Sequence, residues 1–127
     1  MPLTEKEKRS NRCCFTGHRP EKLNVPEVIV KERLEQAIDM AISSGKNVFI
    51  CGMARGVDLW AGEAVLNRKN VDPSIRLICA TPFVGFEKGW AEHWQTLYYE
   101  VANHADYKTA ICNSYSPNCF QKRNVWM

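Results

Sequence analysis

NVFICGMARGVDLWAGEAVLNR, residues 47–68, is the stretch that decides the fold. Its first part, 47–51, is a short apolar run typical of a buried β-strand. Its second part, 56–68, predicts a helix with an apolar side made of Val57, Trp60, Ala61, Ala64 and Val65. Gly52 and Gly56 mark the change from the strand pattern to the helical pattern. The stretch therefore predicts a strand, a glycine-bounded turn and a helix in direct succession.

The same succession occurs on both sides of this stretch. Further strands are predicted at 12–16, 76–81 and 107–112, with Pro82 expected to end the third. Further helices are predicted from Pro26 to Gly45 and at 88–103, and another opens at Phe120. Strict alternation with near-continuous apolar strands favours parallel pairing with helices on both faces. We therefore expect a Rossmann-like three-layer α/β sandwich with a mostly parallel sheet, and the apolar stripe of the third helix belongs to its core.

The length of the chain fits a single domain. The 127 residues contain no linker and no repeat, so we expect a charged leader at 1–11 and one domain at 12–127. The last helix stops within about two turns, whereas a doubly wound sheet usually continues into another strand. Two explanations stay open: the domain is truncated at its C-terminus, or the last element docks in an unusual way.

Composition excludes several classes of protein. The 17 basic and 14 acidic side chains leave a net charge of +3, which is too small to indicate a nucleic-acid binder but leaves room for local phosphate contacts. The six cysteines have no zinc-site or C-x-x-C spacing, so we expect free thiols, no metal, no resident cofactor and a cytoplasmic location. No apolar run approaches the roughly 18 residues of a membrane span.

Three loops carry the candidate site. If the first strand is central, with the second and fourth beside it, the loops that follow these strands meet at one crevice. In the second loop the glycines let a ligand approach the backbone, and the helix N-terminus and Arg55 suit a phosphate, although a plain tight turn explains the glycines too. Asp58 can either cap the helix or accept a hydrogen bond from a ribose or a base. The candidate ligand-binding residues are Thr16, Gly17, His18, Arg19, Gly52, Met53, Ala54, Arg55, Gly56, Asp58, Arg123 and Asn124.

Three motifs in these loops carry a family resemblance. They are Thr16-Gly-His-Arg-Pro20, Gly52-Met-Ala-Arg-Gly-Val-Asp58 and Phe120-Gln-Lys-Arg-Asn124. Together they resemble the YpsA-like branch of the SLOG superfamily, which also holds DprA/Smf and the LOG phosphoribohydrolases. The second is similar to the S-G-x-A-x-G-[IV]-D segment of DprA. The resemblance spans 12–127 and implies a Rossmann-like fold that binds nucleotides at these loops. The P-G-G-x-G-T string of the LOG enzymes is absent, so the catalytic residues stay unknown.

Three functions remain open at this point. The first is binding or sensing of a nucleotide-derived ligand similar to NAD or ADP-ribose. The second is hydrolysis of the N-glycosidic bond of a nucleoside monophosphate, with Asp58 or Glu63 against the ribose. The third is DprA-like binding of single-stranded DNA along Arg19, Arg55, Lys122 and Arg123.

Two further expectations concern a loop and the edge of the sheet. Phe83 and Phe86 either sandwich a base or pack over the sheet. The exposed edge of the fourth strand should promote a homodimer at high concentration, and no membrane partner is expected.

Overall fold

The computed structural model describes residues 11–15 and 24–127 and shows alternating strands and helices. The strands are β1 (Arg12–Phe15), β2 (Val48–Cys51), β3 (Arg76–Phe83) and β4 (Tyr107–Cys112). The helices are α1 (Glu27–Ser43), α2 (Val57–Val71), α3 (Glu92–His104) and α4 (Cys119–Trp126). The predicted Rossmann-like α/β class is confirmed.

The four strands form one parallel sheet in the order β1-β2-β3-β4. The expectation of a central first strand between the second and the fourth is therefore wrong, because β1 and β4 lie at opposite edges of the described sheet. Each of the first three helices connects neighbouring strands. Right-handed crossovers place all three on the same face, and α2 accordingly packs against both α1 and α3.

The main core lies between the sheet and these three helices. Strand side chains alternate between faces, so Phe15, Phe49, Cys51, Leu77 and Cys79 point into this core. The expected stripe around α3 packs against it with Trp90, Trp94, Leu97, Tyr98 and Val101. Helices α2 and α3 approach closely at Gly62, where an added Cβ would lie 2.9 Å from a Val101 methyl group. The assignment of the α3 stripe to the core is confirmed.

Helix α4 covers part of the opposite face. It packs against β3 and β4 and then reaches β1, where the Cys14 thiol donates a hydrogen bond to the Met127 carbonyl at 3.3 Å. The chain therefore doubles back over the sheet after β4. The third candidate loop therefore approaches the second because α4 crosses the sheet, and not because the strands that precede the two loops share a central neighbour.

Two predicted boundaries were wrong near the carboxyl end of β3. The strand continues through Pro82 to Phe83, because β2 ends opposite Cys79 and β3 beyond that point has only β4 as a neighbour. Proline is tolerated in such a one-sided stretch. Helix α3 begins at Glu92, because the Gln95 side chain donates hydrogen bonds to two carbonyls of the preceding turn, those of Glu87 and Lys88.

All six cysteines are free thiols. Cys13 packs against the core and Cys14 faces the other side, as expected for adjacent residues of a strand. Burial raises the pKa of the Cys79 thiol to about 12. Within residues 11–15 and 24–127, no helix has both the length and the apolar character needed to cross a bilayer.

Candidate functional site

The turn between β2 and α2 forms the centre of the candidate site. Met53 has a left-handed backbone (φ 67°) although its side chain is fully buried, and Gly56 has φ 90° at the N-cap of α2. Such angles are costly for residues with a Cβ. The N-cap residue, Gly56, has no side chain with which to cap the N-terminus of α2. Two unusual backbone conformations therefore shape a turn that opens directly onto a helix N-terminus.

Asp58 closes this turn from the inside. The residue is only 3% exposed, and its Oδ2 accepts a hydrogen bond from the Ala54 N–H at 3.3 Å. A Cβ added to Gly52 would lie 2.7 Å from the same oxygen. Beside the two roles expected for Asp58, capping the helix and binding a ribose or a base, the geometry shows a third, in which the carboxylate supports the loop at Ala54. The buried Cys51 thiol also donates to the Asp58 carbonyl, at 3.0 Å, which ties the start of α2 to the end of β2.

Arg123 reaches the same turn from α4. It is 7% exposed, and its Nη1 donates a hydrogen bond to the Gly52 carbonyl at 2.5 Å. Its Nε donates to the Asn124 side chain at 2.9 Å, and its guanidinium lies 5.8 Å from the centre of the Phe120 ring. Burial lowers the pKa of Arg123, while the negative charge of Asp58 raises it. The second and third candidate loops therefore meet, with Arg123 as a buried brace.

The other predicted site residues are distributed unevenly. Arg55 is half-buried in the turn itself. Lys122 and Asn124 are exposed on α4. Glu63, the second carboxylate considered for hydrolysis, lines a groove between α2 and α3 together with Glu100 and His104, away from the turn. Thr16, Gly17, His18 and Arg19 lie outside the described residues.

The phenylalanines at the end of β3 and just after it pack against one another. Phe83 and Phe86 meet edge to face with ring centres 5.3 Å apart, and both contact Phe120 of α4 in the same manner. Trp90 and Tyr115 complete the cluster. Of the two expectations for these rings, the structure supports a loop that packs over the sheet.

Sequence reasoning missed one buried carboxylate, Glu87. It is 6% exposed, and its Oε2 accepts a hydrogen bond from the Tyr99 hydroxyl at 2.7 Å. That bond raises the pKa of Tyr99. No motif marks this glutamate, and only its place in an otherwise apolar and aromatic stretch could have drawn attention to it.

A parallel sheet with a glycine-bounded turn and a helix N-terminus at its carboxyl edge defines a Rossmann-like α/β protein. The family model YpsA, described as the YspA SLOG family, matches residues 13–127. The chain belongs to this family.

Curated relatives include the UPF0398 proteins of Staphylococcus aureus strains JH9 and NCTC 8325. Each is 29% identical over 112 residues, which is 84% of this chain and 60% of the relative. The chain thus spans about 60% of the length of these relatives.

Proposed function

We propose that the protein binds a nucleotide-derived ligand of the NAD or ADP-ribose type at the turn between β2 and α2. In this proposal the ligand's phosphate lies against the backbone N–H groups that open α2, where the helix dipole favours an anion. The Arg55 guanidinium supplies a charged donor to the same phosphate. Membership of the SLOG family supports this function.

The observation that carries the proposal is the pair of buried charges behind the turn. Taking a carboxylate and a guanidinium out of water costs several kcal/mol per ion, roughly, before their attraction repays it. A turn that only reverses the chain needs neither group. Asp58 and Arg123 instead both lie against Gly52 and hold the turn in one conformation. Such preorganisation is what a ligand-binding loop requires.

Calorimetric titration with AMP, ADP-ribose and NAD tests the proposal. Arg55→Ala should lower the affinity about ten- to a hundredfold, because a hydrogen bond to a charged group contributes roughly 1.5–3 kcal/mol. Arg33→Ala, on the exposed side of α1, is the matched control and should leave the affinity unchanged. Equal affinities for wild type and Arg55→Ala would overturn the assignment. Release of free adenine from AMP would instead indicate hydrolysis.

A further inference from the structure

A cavity of about 310 Å³ lies between α3, the middle parts of β3 and β4, and the turn after β3. Most of its exposed lining surface is apolar, as in many small-molecule sites, and its polar side chains include Glu87, Asn103 and Lys108. Cys79, Thr81 and Ala110 belong to its strands, and Tyr98 belongs to α3. Met53 also lines it, so the cavity borders the turn that forms the candidate phosphate site.

Glu87 supplies an acceptor to this cavity. Its carboxylate is more than nine-tenths buried, and its hydrogen-bond partner is a neutral group, the Tyr99 hydroxyl. Among the ion pairs of the described residues, none involves Glu87. Lys108 also lines the cavity, but it forms no ion pair with Glu87, so the buried carboxylate retains acceptor capacity. It therefore favours an occupant that brings N–H donors.

The hydroxyls of Thr81 and Tyr98 supply a donor. Their oxygens are 2.9 Å apart, and either can donate to the other. Since each hydroxyl carries one proton, the pair uses one proton internally and leaves the second for an occupant. The cavity thus offers an acceptor at Glu87, a donor at the hydroxyl pair and an aromatic wall at Tyr98.

We propose that this cavity holds the adenine base of the ligand, with the exocyclic amino group donating to Glu87 and a ring nitrogen accepting from the Thr81–Tyr98 pair. This inference rests on the proposed function, because it places the base and the phosphate of one molecule on two sides of Met53. Adenine matches the lining because its amino group is flanked by acceptor nitrogens. Hypoxanthine has a carbonyl in place of that amino group, and its oxygen would face the carboxylate.

Adenosine and inosine test the cavity without involving the phosphate. We expect wild type to bind adenosine at least about tenfold more tightly than inosine in calorimetric titrations, because one hydrogen bond to a charged group is lost and a repulsion is added. Glu87→Gln should bring this ratio close to one, since an amide can accept from an amino group or donate to a carbonyl. Glu92→Gln removes the same charge from an exposed position on α3 and should keep the wild-type ratio.

Tyr99→Phe provides a second variant that keeps Glu87 in place. It removes the hydroxyl donor at the rim and should preserve the preference for adenosine. Equal affinity of wild type for the two nucleosides, or no binding of either, would overturn the cavity assignment, as would selective binding of guanosine or of putrescine. These outcomes are separate from the phosphate site. If AMP binding depends on Arg55 but AMP is not preferred over IMP, the proposed function stands and the base pocket is wrong. If AMP is preferred over IMP but its binding does not depend on Arg55, the base pocket stands and the phosphate site is wrong.

Discussion

Charged side chains differ in solvent exposure between the two ends of the sheet. At the amino end, Asp39 pairs with Arg68 at 2.6 Å and Asp106 pairs with Lys69 at 2.5 Å, and both pairs are solvent-accessible. At the carboxyl end, Asp58, Arg123 and Glu87 are each at most 7% exposed. The amino end therefore carries ordinary surface ion pairs, whereas the carboxyl end buries these three charged side chains.

This difference separates stabilising charges from site charges. Surface pairs contribute about 0–1 kcal/mol each and need no special environment. The desolvation of buried charges must be offset by well-placed partners; replacing a whole buried pair by apolar groups is often neutral or stabilising, whereas removing one partner is strongly destabilising. At the carboxyl end the partners are the Gly52 carbonyl, the Ala54 N–H and the Tyr99 hydroxyl. These contacts shape a turn and a cavity, the two features to which we assign the proposed ligand.

Arg123→Met should have the largest effect on stability. It removes the buried guanidinium that donates to the Gly52 carbonyl and that interacts with the Asp58 charge, and removing one member of such a buried charged group costs about 3–5 kcal/mol. Urea unfolding of wild type and variant measures the loss. Lys122→Met, at the exposed neighbouring position, is the control and should stay within about 0.5 kcal/mol. A loss for Arg123→Met as small as that of the control would mean that the carboxyl end is no different from the amino end.

Gly52→Ala tests how tightly the turn is packed. The new Cβ would lie 2.7 Å from Asp58 Oδ2 and 3.0 Å from Arg123 Nη1, so both groups must shift. We expect a loss of about 1–3 kcal/mol, the usual cost of overpacking. Thermal melts measure the loss. Gly89→Ala places a Cβ in open space and should be nearly neutral in the same thermal melts. Comparable melting temperatures for the two variants would contradict the packed arrangement.

Gly56→Ala tests the backbone of the turn. Because Gly56 has φ 90° and ψ −126°, a backbone conformation that residues with a Cβ rarely adopt, alanine there should cost about 1–3 kcal/mol through strain. The same change should weaken AMP binding if the turn holds the phosphate. A variant as stable as wild type would show that the turn can relax to another conformation.

Asp106→Asn should have the smallest effect and a distinctive pH dependence. Burial alone would raise the pKa of Asp106, but hydrogen bonds from Lys69 and from the Leu77 N–H lower it overall. Its contribution is therefore present above the unfolded pKa of about 3.9 and is lost as the pH falls through the folded pKa. The free energy of unfolding of wild type should exceed that of the variant by about 1 kcal/mol or less at pH 6. The two free energies should converge near pH 2. A constant difference would exclude this carboxylate as the cause.

Local patterns predicted most of the fold. Helix α1 follows from the spacing of Leu34 and Ile38, and the turn at Gly52 follows from its glycines, because both depend on neighbouring residues. The strand order was not predictable in this way, since it depends on which distant segments pair. The prediction that Pro82 ends β3 was wrong for the same reason. A proline is tolerated there because β2 has already ended, and the sequence around Pro82 does not show where β2 ends.

The candidate site likewise combines features that local sequence predicts with features that depend on long-range contacts. Gly52, Arg55, Gly56 and Asp58 were found because they occur in one short motif. The brace by Arg123 required knowledge of how α4 crosses the sheet, and Glu87 became visible only through its burial and its bond to Tyr99. Contacts across long sequence separations are a property of the assembled fold.

Amide chemical-shift mapping during titration with ADP-ribose tests the central claim most directly. If the turn between β2 and α2 binds the phosphate, the ¹H–¹⁵N signals of 54–57 should shift the most and should saturate with the calorimetric affinity. The signals of Asp39, Arg68 and Asp106 at the amino end should hardly change. Shifts confined to the amino end, or none in 54–57 at saturating ligand, would contradict the account.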